Sequence, residues 1–228
     1  INNFPIEGIN IPAREISGDF YDFYPHNDQI YFTLCDVSGK GVNAGMVMAR
    51  AITLFKIYSK NNFKPNEIHY EMNNDLQQTN PKGVYVTSIV GSYNLTTDIV
   101  ELSNAGHLPA LFKNGKEFLE YNSSSLPLGV KKADSSKEYR LESFKLEDGR
   151  LYCFTDGFSE CRNENGEEIG IKGVKQLILN YQNTSLKKEL SKIIKDVEIK
   201  SIKDQNFDQD KSNESILEDD LTIIGLGK

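Results

Sequence analysis

Two aspartates, Asp19 and Asp36, stand at the open end of what reads as one β-hairpin, and they constrain the fold more than any other feature of the chain. Ile16 to Tyr24 and Gln29 to Val37 are rich in aromatic and branched residues, and Pro25-His26-Asn27-Asp28 separates them as turn residues. Pairing outward from a two-residue Asn27-Asp28 turn sets His26 opposite Gln29, Phe20 opposite Cys35 and Asp19 opposite Asp36. Like charges facing each other across a ladder destabilise it. Asp36 also alternates in phase with Ile30, Phe32 and Leu34, so its carboxylate points toward the apolar side of the strand. A buried carboxylate without a partner is costly. A divalent cation between the two removes both objections.

The pattern recurs later in the chain. Asp156 follows Tyr152 and Phe154 in phase at the end of an apolar strand, just before Gly157, and Asp219-Asp220 opens a final strand from Leu221 to Leu226. Taken singly, each of these reads as an ordinary turn or solvated aspartate. Taken as an oxygen-only set with no Cys or His cluster, they suit Mg2+ or Mn2+ rather than zinc.

Between these positions the spacing alternates between strand and helix. A helix is expected from about Val42 to Tyr58. Val47, Ala51, Leu54, Phe55 and Tyr58 form one apolar stripe and Ala44, Met48 and Ile52 another, which implies burial on two sides. A second helix starts at Pro65 with Ile68, Met72 and Leu76 inward. Short β runs follow over 84–95, 99–103, 110–113, 117–121, 139–146 and 151–155. Two amphipathic helices come next, lined by Val174, Leu177, Ile178 and Tyr181 and by Leu186, Leu190, Ile193, Ile194 and Val197; the acidic stretch 201–218 reads as a surface loop. Strands before and after helices, without strict alternation, give an α+β class: antiparallel sheet packed with helices.

The 228 residues suit one domain, and 38% hydrophobic content is enough for a core. A net charge of −7 excludes nucleic acid and anionic membrane as partners. Cys35, Cys153 and Cys161 cannot all pair with one another and read as small buried residues in a reducing, cytoplasmic compartment. The chain opens on Ile1, which reads as a piece of a longer protein whose sensor or regulatory domain lies upstream.

Six short motifs in series carry a family resemblance. They are Pro12-Ala13-Arg14-Glu15-Ile16-Ser17-Gly18-Asp19-Phe20-Tyr21-Asp22, Asp36-Val37-Ser38-Gly39-Lys40-Gly41, Asn104-Ala105-Gly106-His107, Leu126-Pro127-Leu128-Gly129, Thr155-Asp156-Gly157-Phe158-Ser159-Glu160 and Asp219-Asp220-Leu221-Thr222. Together, from about Ile11 onward, they resemble the PPM (protein phosphatase type 2C) superfamily in its bacterial SpoIIE/RsbU-like branch. The resemblance implies an αββα sandwich, two antiparallel sheets flanked by helices. It also implies a single serine/threonine phosphatase domain over 1–228, the C-terminal part of a longer regulatory protein. It further implies two divalent cations, Mn2+ or Mg2+. Asp36 would bridge both, with the Val37 backbone carbonyl as a further ligand to one; Asp19 would join them on the second metal, and Asp156 and Asp219 would hold the first. Asp219 is preferred to Asp220 as the first residue of the motif. A metal-activated water would then hydrolyse phosphoserine or phosphothreonine on a regulatory protein, such as a STAS-type anti-anti-sigma factor. Where the eukaryotic enzymes carry a His soon after the bridging Asp, this chain has Ser38 and Lys40, which leaves the proton donor open.

Two further residues are candidate phosphate partners. Arg14 offers a guanidinium fork, with an exposed structural role as the alternative; Lys40 sits at a helix start, with a connector role as the alternative. His107 reads as a turn or core histidine. The helix from Val42 offers a homodimer or regulatory-domain interface. Two other functions fit parts of the pattern. A nucleotidyl cyclase also places two aspartates on strand ends, but it needs neither Asp156 nor Asp219. A catalytically silent PPM-fold binding module would lack at least one ligand, and none is missing.

Overall fold

Strand β3 (Gln29–Val37) is apolar on both faces because both faces are covered. Its even-numbered residues Ile30, Phe32 and Leu34 join a core with Ile89, Val100, Phe112, Leu151 and Ile224. Its odd-numbered residues Tyr31, Cys35 and Val37 join a second core with Ala51, Phe55, Ile68 and Met72. The computed structural model describes residues 4–13, 17–39, 41–81, 83–163, 165–181, 184–205, 217 and 219–227. Arg14 and Lys40, the two candidate phosphate partners, lie outside the described residues.

β2 (Asp19–His26), β3, β4 (Val86–Asn94), β5 (Ile99–Ala105) and β8 (Glu142–Lys145) form one antiparallel sheet in that spatial order. β1 (Ile6–Ile11), β10 (Leu221–Leu226), β9 (Arg150–Phe154), β6 (Ala110–Asn114) and β7 (Glu117–Tyr121) form the other. Helices α1 (Val42–Lys60) and α2 (Pro65–Thr79) cover the first sheet. Helices α4 (Gly170–Asn180) and α5 (Leu186–Gln205) cover the second, where Ile178, Leu190 and Ile193 pack on Tyr152, Phe154 and Ile223. The result is the αββα sandwich that the motif series implies.

The hairpin has the expected register. Asn27 sits in the left-handed region at φ 53°, as a tight two-residue turn requires. His26 pairs with Gln29, Phe20 with Cys35 and Asp19 with Asp36. α2 begins at Pro65 and fully buries Ile68, Met72 and Leu76. All three cysteines are buried.

Other expectations need correction. β1 is not signalled by periodicity: it lies between Pro5 and Pro12 with Gly8 near its centre, and pairing with β10 over all six residues makes it a strand. α1 is not buried on two sides. Its fully buried residues Ala44, Val47, Ala51 and Phe55 form one stripe, with Met48, Ile52, Leu54 and Tyr58 half-buried beside it. Val42 and Met46, at 68% and 67% exposure, lie on the uncovered side. The stretch 201–218 is not wholly loop, because α5 runs through Gln205; of the remainder only Leu217 is described, and it packs against the α4/α5 core.

One polar cluster fastens α5 to β9. Glu189 is fully buried and takes hydrogen bonds from the Arg150 guanidinium and, at 2.7 Å, from the Tyr152 hydroxyl. Arg150 also donates to the Thr184 carbonyl at 2.9 Å.

Candidate metal centre

β2 and β3 end together at Asp19 and Asp36, and the chain returns to the same place twice more. β9 ends at Phe154, and Thr155 leads into the one-turn helix α3 (Asp156–Ser159). In strict alternation with Tyr152 and Phe154, Asp156 would face α4 and α5. The break in the strand at Thr155 releases it from that phase. Asp36, Val37, Asp156, Asp219 and Asp220 line one cleft of about 220 Å3, together with Gly18, Ser38 and Tyr85.

Two glycines let the backbone pack closely around this cleft. A Cβ at Gly157 would lie 2.3 Å from the Asp220 carbonyl oxygen, a backbone atom that cannot move aside cheaply. A Cβ at Gly18 would lie 3.0 Å from the Val37 carbonyl oxygen and 3.7 Å from Asp36 Oδ1. Glycine at position 18 therefore leaves both oxygens uncovered.

The adjacent aspartates 219 and 220 have different tasks. Asp220 Oδ1 accepts the Ala13 N–H at 2.7 Å, and its Oδ2 accepts Ser17 Oγ–H at 2.7 Å, Gly18 N–H at 2.9 Å and Asp19 N–H at 3.4 Å. That carboxylate is committed to the backbone leading into β2. Asp219 accepts only the short-range Asp220 N–H, at 2.9 Å, among the described contacts. Among the described contacts, Asp219 is thus less committed than its neighbour.

The carboxylates are uncomfortable without a cation. Burial raises the Asp19 carboxyl from its ordinary 3.8 to about 8, and Asp36 and Asp220 add to the rise, while the hydroxyls of Thr155 and Thr222 offset part of it. Asp19 is 5% exposed, and its Oδ2 has no hydrogen-bond partner among the described residues. Burial raises Asp36 to about 7, with further contributions from Asp156, Asp219, Asp220 and Glu160. An orphaned buried oxygen beside mutually repelling carboxylates fits a hard divalent cation. Among the described residues, no three His, Cys, Asp or Glu side chains are gathered tightly enough to form a finished metal cage; Asp36, Asp156 and Asp219 line the cleft, and Asp19 is buried behind Asp36 on the paired strand.

This electrostatic arrangement predicts a pH dependence. Asp19 and Asp36 bind protons more tightly folded than unfolded, so their contribution to stability is full below about pH 4 and is lost as pH rises through 7 to 8. In EDTA the melting temperature should be lower at about pH 8.5 than at about pH 6, and Mn2+ should narrow that gap. A chelated protein that melts higher at the alkaline pH would contradict this account of the cleft.

His107 is structural, as its motif context suggests. It is buried; its Nε2–H donates to the Phe154 carbonyl at 3.1 Å, and its Nδ1 accepts the Thr87 hydroxyl at 2.7 Å. Thr87 lies opposite Asp36 on the neighbouring strand β4, so the imidazole bridges β4 to β9, the strand that leads to Asp156. Burial lowers His107 to about 4, which keeps it neutral. A larger hollow of about 370 Å3 lies at the turn end of the hairpin, but there Lys64 faces Glu101 at 4.0 Å and no buried carboxylates converge.

The sequence model of the family described as Stage II sporulation protein E (SpoIIE) matches residues 26–227. The chain belongs to the SpoIIE family. It is 26% identical over 226 residues to the phosphoserine phosphatase RsbU of Bacillus subtilis (strain 168), covering 97% of this chain and 62% of RsbU. The SpoIIE-family chain thus spans less than two thirds of that relative. Its fold superposes on the SiaA-PP2C domain of Pseudomonas aeruginosa with a TM-score of 0.80 at 17% identity, covering 98% of this chain and 85% of that one. It superposes on RsbX, solved in complex with magnesium, with a TM-score of 0.67 at 15% identity, covering 97% and 92%. No helix among the described residues of this SpoIIE-family chain is long and apolar enough to cross a membrane.

Proposed function

We propose that residues 1–228 are one catalytic domain of a metal-dependent phosphoprotein phosphatase, acting on phosphoserine or phosphothreonine. The observation that carries this reading is the meeting of Asp36 with Asp156 and Asp219 in one cleft, with Asp19 paired across the hairpin to Asp36 and its Oδ2 orphaned. Asp36, Asp19, Asp156, Asp219 and the Val37 carbonyl are the proposed donors to two divalent cations, Mn2+ or Mg2+. Bound there, such cations supply positive charge against the phosphoryl oxygens and a water acidic enough to attack phosphorus at neutral pH.

The protein's own side chains leave the chemistry to that water. All three cysteines are buried, and burial pushes the Cys35 thiol up to about 12, so no thiolate faces the cleft. His107 has both ring nitrogens engaged, and so does His69, which bonds Ser103 and Ser88 at 2.9 and 3.0 Å. His26 pairs with Gln29 at the opposite end of the hairpin. No histidine is thus placed to carry a phosphoryl group. Ser38 borders the cleft, and its oxygen accepts the Tyr85 N–H at 2.9 Å; no histidine base stands beside it to activate it. The presence of Asp156 and Asp219 in the same cleft favours phosphatase over nucleotidyl cyclase, which has no use for them.

The likeness to RsbU supports a phosphoserine-bearing regulatory protein as substrate, with a STAS-type anti-anti-sigma factor as the proposed class, in a cytoplasmic signalling pathway. An upstream regulatory domain and a homodimer are further proposed partners. The test is phosphate release from a phosphoserine protein and from p-nitrophenyl phosphate, in Mn2+, in Mg2+ and in EDTA. Release is expected with either metal and is expected to vanish in EDTA. Mn2+ uptake without release from either substrate would leave a silent binding module instead.

A further inference from the structure

We propose that Asp220 is a positioning residue for the metal centre: its carboxylate holds the segment entering β2, so that Asp19 and the Val37 carbonyl are in place before a cation arrives. The inference rests on the cleft being a divalent-cation site, and it gives the second aspartate of the Asp219-Asp220 pair a task other than metal ligation.

Four donors converge on this buried side chain. Oδ1 accepts the Ala13 N–H at 2.7 Å. Oδ2 accepts the Gly18 N–H at 2.9 Å and the Ser17 hydroxyl at 2.7 Å. The Asp19 N–H is shared between Ser17 Oγ at 3.0 Å and Oδ2 at 3.4 Å. Backbone N–H groups gathered in this way make a nest for an anion. Here the chain supplies the anion itself, from the residue that precedes β10 in the opposite sheet.

The nest adjoins each of the proposed donors. The Gly18 carbonyl accepts the Val37 N–H at 3.2 Å, which ties the end of β3 to the held segment. The Asp220 N–H donates to Asp219 Oδ1 at 2.9 Å. The Asp220 carbonyl seats Gly157, the neighbour of Asp156, so closely that a Cβ there would lie 2.3 Å away. Asp220 thus contacts the segments that carry Asp19, Asp156 and Asp219 and, through Gly18, the one that carries Asp36 and Val37. Groups that orient metal ligands commonly change metal affinity 10- to 100-fold when removed. Asp220→Ala deletes both oxygens and leaves room for formate, a free carboxylate. Asp220→Asn deletes the charge and keeps one acceptor oxygen.

The experiment is titration of the metal-free 228-residue chain with Mn2+ by calorimetry, beside its melting curve in EDTA. Asp220→Ala is expected to bind Mn2+ roughly 10- to 100-fold more weakly, while still melting cooperatively. Sodium formate should restore most of that affinity, and sodium chloride at the same ionic strength should not. The unsubstituted chain should gain nothing from formate. Asp220→Asn should bind more tightly than Asp220→Ala, because its amide oxygen still accepts from the held segment. Equal losses in the two variants would trace the effect to charge alone and overturn the proposal. Unchanged affinity in a folded Asp220→Ala, or a loss that formate does not restore, would overturn it too. Should Asp220→Ala fail to melt cooperatively, Ser17→Ala decides in its place: it deletes one donor to Oδ2 and should bind about tenfold more weakly, and an unchanged affinity overturns the proposal. If the unsubstituted chain takes up no Mn2+, the cation reading of the cleft fails, and this inference fails with it; if it does take up Mn2+ and the variants match it, this inference alone fails.

Discussion

Asp36→Asn should reduce metal-dependent phosphate release by about a thousand-fold, because losing several kcal/mol of charge stabilisation, at about 1.4 kcal/mol per tenfold, has that effect. Among the proposed donors Asp36 stands apart, since it faces Asp19 across the hairpin and shares the cleft with Asp156 and Asp219. The same substitution should not weaken the fold. Burial and the neighbouring carboxylates already raise its pKa to about 7. An amide of the same shape removes one of the repelling charges, so in EDTA at about pH 8 the variant should melt no lower than the unsubstituted chain. Opposite directions in activity and stability would identify Asp36 as a chemical residue placed at structural cost. Turnover near the starting level, or loss of turnover accompanied by unfolding, would contradict that assignment.

The second large effect lies away from the cleft. Arg150→Leu should destabilise the protein by about 3–5 kcal/mol, because it leaves the buried Glu189 carboxylate without its guanidinium. In a chain of this size such a loss should lower the melting temperature by roughly 10 °C. Replacing both partners, as in Arg150→Met with Glu189→Met, should recover most of it, since the desolvation cost disappears together with the attraction. Tyr152→Phe should cost about 1–3 kcal/mol, as it removes one hydrogen bond to the same carboxylate. Chemical denaturation of the three variants gives the comparison. An Arg150→Leu variant as stable as the parent would show that Glu189 finds another partner or takes up a proton.

What could be read from the sequence follows from how far apart the interacting residues lie in the chain. The Asp19–Asp36 pairing was legible because a two-residue turn fixes the register of every pair beyond it. Asp156 was legible as a candidate but not in its direction, because strand phase stops at Phe154 and a single helical turn takes over. Asp220 was visible only as the neighbour of Asp219; its bonds to Ala13, Ser17 and Gly18 span more than two hundred residues, and no local pattern announces them. β1 was hidden for the same reason, since it owes its existence to β10. The width of the α1 stripe was misjudged because periodicity records which residues are apolar, whereas burial depends on what lies opposite them. For α1, that is the sheet on one side only.

The position of β10 has a consequence for synthesis. It lies between β1 and β9, so among the described strands the last to be made fills the middle of a sheet whose edge strand β1 is the first. Until residues 219 to 222 leave the ribosome, β1 lacks its partner strand and the backbone before β2 lacks Asp220. A nascent chain can form the Asp19–Asp36 hairpin early and still have no cleft. Closing of the cleft thus waits on the last of the described strands.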